Sequence, residues 1–336
     1  MLDRSRSRQG ADHAQALRET VAFAAEAERL GYHRFWVSEH HSVPGVAGSA
    51  PTVLAAAIAA ATSRIRVGTG GVMLPNHQPL VVAEQFGVLE SLYPGRIDMG
   101  LGRSVGFTGG VRRALGRDKE DAGQFGDQVR ELLGYLDGTQ QAHPGVHAFP
   151  AEGLRIPPFV LATGAGADLA AGLGLPLVIG AIRGEGPMLA AISRYRDAFR
   201  PSSWSPYPYV VVSATVAVAE TAEQAERLLL PEAWAMVHSR TRGVFPPLMP
   251  AREVLAQPMT DRERRLFDDA LRGQIRGTGD EVAQELDGLV ARTGADEVLV
   301  TTSTYDRAGL LDSYRRLAEI AVRRPESESV GERVPG

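Results

Sequence analysis

The sequence predicts a (β/α)8 barrel, an α/β fold, built as a single domain over residues 1–322. Short β-branched runs alternate with longer amphipathic stretches, which is the pattern of parallel strands joined by crossover helices. A length of 336 residues suits one such barrel with insertions. With 44% hydrophobic and 23% charged residues, the chain has the composition of an ordinary globular domain able to bury a large core.

Residues 1–3 are read as a short, clipped first strand, the other reading being a start codon upstream. A helix over 14–30 stops at Gly31, as a C-terminal glycine should make it, and a strand follows at 33–37. Small residues make 51–61 a helix. The chain then alternates strand 65–74, helix 80–92, strand 97–101, helix 120–136, strand 159–162 and helix 165–173. Strand 177–179, helix 187–199, strand 209–218 and helix 222–237 follow, and helix 281–291, strand 298–301 and helix 308–321 complete the series. Between them, residues 240–278 carry Pro246, Pro247, Pro250 and Pro258 and break the rhythm after the seventh strand. Long connections on that side of a barrel cover active sites, so this insertion is read as a lid. The polar tail 323–336 is expected to fray.

A net charge of −4 offers no electrostatic footprint for nucleic acid or an anionic membrane surface. No apolar run reaches the length of a membrane span and the start lacks a signal-peptide core, so a cytoplasmic location is expected. The absence of cysteine excludes disulfides, thiolate metal sites and cysteine nucleophiles.

Four groups carry candidate chemistry. Glu39-His40-His41 follows the strand at 33–37 and so falls on the catalytic face of a barrel. Adjacent histidines suit a general base and a ring-orienting partner, with Glu39 fixing a tautomer; a plain structural hydrogen bond is the alternative. Zinc fits poorly, because neighbouring histidines in a loop lack the spacing of helix-borne ligands. Gly68-Thr69-Gly70-Gly71 interrupts a strand, which calls for tight packing, a bulge, or a flat ring against bare backbone. Asn76 and His77 follow it. Arg103 closes the run Gly100-Leu101-Gly102 where an anion at the barrel mouth would need a permanent charge. Ala162-Thr163-Gly164-Ala165-Gly166 leads into a helix whose free N–H groups suit a phosphate.

Together these motifs resemble the luciferase-like flavin-dependent monooxygenases over nearly the whole chain. Residues 30–41 (LGYHRFWVSEHH) are similar to that family's second strand, 67–75 (VGTGGVMLP) to its third, 94–103 (PGRIDMGLGR) to its fourth and 293–300 (TGADEVLV) to its eighth. The resemblance implies reduced FMN at the strand ends, with its phosphate near Arg103 and the turn of Ala162, Thr163, Gly164 and Gly166. It implies that His40 is the catalytic histidine, with Glu39 and His41 beside the cofactor, and that Gly70-Gly71 is a non-prolyl cis peptide against the flavin ring. It further implies O2 and a small organic substrate, a separate flavin reductase, and a homodimer formed through the second and third helices.

The chain departs from the family's pattern in three places. Only Thr163 offers a hydroxyl at the phosphate turn, Gly102 stands where the luciferases proper carry a cysteine, and the sixth strand ends in Arg183 where many relatives have serine and histidine. Two alternatives stay open: hydride transfer with the deazaflavin F420, and flavin binding without turnover. Phe245, Leu248 and Met249 in the insertion point to an apolar substrate, and the likeness to monooxygenases of antibiotic biosynthesis to an aromatic or polyketide one.

Overall fold

The computed structural model describes residues 1–322. In chain order the elements are β1 (Leu2–Asp3), α1 (His13–Arg29), β2 (Arg34–Val37), α2 (Pro51–Ala61), β3 (Arg66–Thr69), β4 (Val72–Met73), α3 (Pro79–Leu92), β5 (Ile97–Gly102), α4 (Gly109–Ala114) and α5 (Phe125–Asp137). There follow β6 (Pro158–Ala162), α6 (Gly166–Leu173), β7 (Leu177–Gly180), α7 (Glu185–Ala198), β8 (Val210–Ala214), β9 (Val216–Val218) and α8 (Ala222–Arg242). The chain then runs through α9 (Ala251–Leu255), α10 (Asp261–Leu271), β10 (Ile275–Gly277), α11 (Gly279–Thr293), β11 (Glu297–Val300) and α12 (Arg307–Val322).

Local chemistry explains the borders. The Asp12 side chain accepts from the Gln15 N–H to start α1, and Gly31 leaves the helix at φ +82°. Thr260 with Glu263, and Thr278 with Glu281, form capping boxes on α10 and α11. Gly243 ends α8 in the left-handed region.

All sheet pairings are parallel, in the order β1-β2-β3-β5-β6-β7-β8-β11, with β4 also on β5. This is a nearly closed (β/α)8 barrel, as the sequence predicts. Among the described residues no ladder joins β11 to β1, whose two residues pair with Trp36 and Val37. The expected strand 65–74 is broken by a cis Gly70–Gly71 bond into β3 and β4. The expected strand 209–218 splits at Thr215, and β9 leaves the barrel to pair with β10. The expected helix 120–136 opens with a 3-10 turn over Glu120–Gln124, and the short α4 precedes it. The expected tail at 323–336 lies outside the described residues.

The insertion differs from its expected borders of 240–278. The helix α8 runs on to Arg242, and residues 275–277 are β10 rather than cover. A separate apolar cluster that includes Leu229, Trp234, Val254 and Phe267 packs α8, α9 and α10 together. Residues 245–248 reach the loops after β1 and β2: Gly45 N donates to Phe245 O at 2.8 Å, Leu248 N to Ser7 O at 2.9 Å and Gln9 N to Leu248 O at 2.7 Å.

Two-residue alternation sorts the side chains. Phe35, Val37, Val67, Met99, Val160 and Val212 face the helices. The opposite faces fill the barrel with Trp36, Phe159, Val178, Tyr209, Val211 and Leu299, against which Leu2 and Leu161 pack. Below this layer Arg34 donates to Asp98 at 2.7 Å and pairs with Glu297 at 3.0 Å, while Arg66 and Trp36 Nε1 each donate to Asp98 at 2.8 Å. Above it the same parity gives small residues: Ser38, Gly70, Gly100, Gly102, Gly180 and Ser213.

Candidate active site at the barrel mouth

The residues singled out as Glu39-His40-His41, His77, Arg103 and the Thr163 turn sit at the carboxyl ends of the strands, yet they fall into three groups rather than one; Gly68 lies deeper, level with Trp36.

The first is a sealed carboxylate. Glu39 Oε1 accepts from His41 Nε2 at 2.6 Å and His77 Nε2 at 2.9 Å, and Oε2 accepts from the Met73 N–H at 2.8 Å. Burial opposes the charge on Glu39, but the hydrogen bonds from His41, His77 and Met73 hold its pKa down to about 2. Its side chain has no exposed surface. These three residues could in principle hold a metal, since their ligand atoms lie within 4.8 Å of one another. Their separations are nevertheless those of hydrogen bonds, and each imidazole Nε2 is already consumed by the carboxylate. Of the two adjacent histidines, Glu39 therefore orders His41, together with His77 from the segment after β4, and makes no hydrogen bond to His40. His77, noted only in passing from the sequence, completes this group.

The second group surrounds His40. Its Nδ1 is 3.1 Å from Ser38 Oγ, its backbone N–H donates to Gly48 O, and its Nε2 has no partner among the described residues. Burial lowers its pKa to about 4, helped by the positive charges of Arg4 and Arg6 and opposed by Glu232 and Glu39. At neutral pH His40 is an uncharged imidazole, able to accept a proton. The two arginines share Glu232 of α8, Arg4 at 2.6 Å and Arg6 at 2.9 Å. Arg6 also donates to Gly45 O and to Pro246 O, and lies 4.2 Å over the Phe245 ring. Ser38 could have been found by counting two residues back from His40. Arg4 lies two residues beyond Leu2, just after β1.

The third group lies on the neighbouring strand ends. Register places Gly102 beside Leu161, and Ala162 beside Ile179, so Arg103, Thr163 and the segment after β7 are adjacent. Arg103 is exposed, with only Nε bonded, to Ala122 O. Thr163 Oγ1 has no hydrogen-bond partner among the described residues. No side chain caps α6; the Ala167 N–H is taken by Gly164 O, and the Gly166 N–H has no partner among the described residues. Arg183 is exposed and makes no ion pair among the described residues.

The glycines divide by cause. A side chain on Gly71 would lie 2.6 Å from Gly100 O, and one on Gly100 would strike Thr69 O, so backbone packing alone requires both. A Cβ on Gly102 would meet nothing closer than 3.6 Å, and one on Gly70 meets Leu2 and Trp36 side chains only. At Gly102, next to Arg103, bare backbone therefore faces open space, which suits a flat ring with a phosphate arm, whereas Gly70 is packed against Leu2.

With this geometry in place, comparison with known proteins is informative. The chain is 35% identical over 322 residues to the luciferase-like monooxygenase of Escherichia coli K12, covering 95% of this chain and 96% of that one. It is 32% identical over 326 residues to the N-acetyl-S-alkylcysteine monooxygenase of Bacillus subtilis, covering 95% and 96%. The solved structure of apo-MsnO8 superposes with a TM-score of 0.86 at 33% identity, covering 97% and 98%. Two barrels of 19% and 17% identity share the fold: a type II Baeyer-Villiger monooxygenase solved with FMN and an F420-dependent secondary alcohol dehydrogenase. The family model described as luciferase-like monooxygenase matches residues 1–317, and the chain belongs to that family.

Proposed function

We propose that this protein is a two-component monooxygenase that takes reduced FMN from a separate reductase and uses O2 to oxidise a small organic substrate. The observation that carries the reading is an uncharged His40 at the rim of a mouth floored by small residues, next to strand ends that present unclaimed donors. Arg103, Thr163 and the backbone N–H groups of Gly164 and Gly166 would hold the phosphate, with Ala162 forming the strand end beneath it. Gly70-Gly71 and Gly102 would lie against the ring. Bound reduced flavin supplies the electrons that divide O2 between product and water. His40, held in place by Ser38, would accept at Nε2 the proton that the substrate releases and pass it on to the departing water. Glu39 keeps His41 and His77 rigid beside it, and residues 245–248 exclude water as a cover over the mouth.

The reading includes a cytoplasmic enzyme; among the described residues no helix is long and apolar enough to cross a membrane. It also includes a homodimer through α2 and α3. Val53, Val81, Val88 and Leu92 are exposed there at 69%, 45%, 48% and 63%, and apolar surface of that kind on paired helices marks an interface. Val88→Glu with Leu92→Glu is expected to halve the mass found by sedimentation while leaving the helical circular dichroism intact.

Fluorescence titration with oxidised and dithionite-reduced FMN, and with F420 for comparison, tests the reading. Preferential binding of reduced FMN together with substrate-dependent oxygen uptake supports it. Binding of F420 alone moves the assignment to hydride transfer, and tight flavin binding without oxygen uptake moves it to a non-catalytic flavoprotein.

A further inference from the structure

Two guanidinium groups at the mouth share one carboxylate. Arg6 is saturated: Nε meets Glu232, Nη1 Gly45 O and Nη2 Pro246 O, and its side chain is only 3% exposed. Arg4 is not. Its Nη2 lies against Glu232 and 3.5 Å from Ser303 Oγ, while Nε and Nη1 have no partner among the described residues and the side chain is 22% exposed. The nearest other carboxylates are engaged elsewhere. Asp3, on the outer face of β1, accepts from the Ser5 N–H at 2.5 Å and from Thr20, and Glu39 is closed by its three donors. A permanent cation in a partly dry cleft, with donors left over, is a site for an anion.

We propose that Arg4 binds the anionic group of the substrate, and that the substrates of this barrel are small organic monoanions of the carboxylate type. The inference rests on the reading that the mouth is where the substrate is oxidised. One unbalanced charge suits a monoanion, because a dianion would face the carboxylate of Glu232. Arg4 follows β1, two residues beyond the inward-facing Leu2, and its charge acts on His40, so an anion there lies above the small-residue floor and near His40. The requirement is for charge at one end of the substrate and leaves its body free to be apolar.

The test is calorimetric titration of the full-length protein with benzoate and with benzamide, its neutral isostere, with and without saturating FMN. Benzoate is expected to bind about ten- to hundredfold more tightly, the worth of one charged hydrogen bond. Arg4→Gln should abolish that preference and leave FMN affinity unchanged, and Arg4→Lys should retain part of it. Equal affinity for the two probes in the wild type overturns the proposal even if Arg4→Gln fails to fold. So does a preference that survives in folded Arg4→Gln, or a loss of FMN affinity in that variant with the preference intact, which would assign the cation to the flavin. A benzoate preference that follows Arg4 in a protein binding no flavin would sink the proposed function and leave this inference standing.

Discussion

The two ends of this barrel use the same residue types to opposite purpose. At the amino end Arg34, Arg66, Asp98 and Glu297 form a closed network in which Asp98 is wholly buried and accepts from two arginines and an indole. At the carboxyl end Arg4, Arg103 and Arg183 keep donors unused and His40 stands uncharged among positive neighbours. Saturation seals one end and incompleteness equips the other, so unspent donors, rather than charge itself, mark the functional face.

The largest expected effect breaks the sealed end. Asp98→Ala leaves the buried Arg34 with Glu297 alone and strands the Arg66 and Trp36 donors that Asp98 accepts, and should cost about 3–5 kcal/mol of stability, read as a fall in the urea midpoint. Survival of Asp98→Ala with wild-type stability would show that the network is not what closes the barrel. At the mouth, His40→Ala should lower coupled product formation by about 10²–10⁴-fold with saturating reduced flavin. Its stability at neutral pH should stay within about 1 kcal/mol of wild type, since the ring makes one side-chain hydrogen bond among the described residues. A large loss of stability with full turnover would reverse the roles assigned to the two ends.

A smaller effect is pH-dependent. Because the folded state holds His40 down to about 4, the unfolded chain takes up a proton between about pH 6.5 and 4 that the folded protein refuses. Stability should fall as pH drops through that window, and His40→Ala should flatten the fall. Glu39 acts lower: its contribution, present above the ordinary carboxylate range, is lost only as pH approaches 2. Denaturation curves at pH 7, 5.5 and 4.5 for the two proteins measure the difference.

The alternation of strands and helices was legible because each segment is long enough for its period to show. The interruption at Gly70-Gly71 was marked by its glycines and by the cis bond that the resemblance implies, which the structure has; the break at Thr215 was not legible, since it depends on which strand lies alongside. His40 could be read from its place at a strand end, but its separation from Glu39 could not. That separation follows from His77 and the Met73 N–H capturing the carboxylate from a different strand. Arg4 escaped notice because two residues of β1 are too few to reveal a face. The turn at Thr163 was legible as composition, and its nearness to Arg103 only through the resemblance; the strand register now places the two on adjacent strand ends.

The backbone stitching among residues 7–9, 45 and 245–248 has a mechanical corollary. These loops are bonded directly to one another, and Glu232 ties both arginines to the helix that leads into the insertion. Displacing residues 245–248 must either break the bonds at Ser7, Gln9 and Gly45 or carry the segment bearing Arg4 and Arg6 along. In the second case access and charge are a single degree of freedom: the door cannot swing without moving the hand that receives what enters.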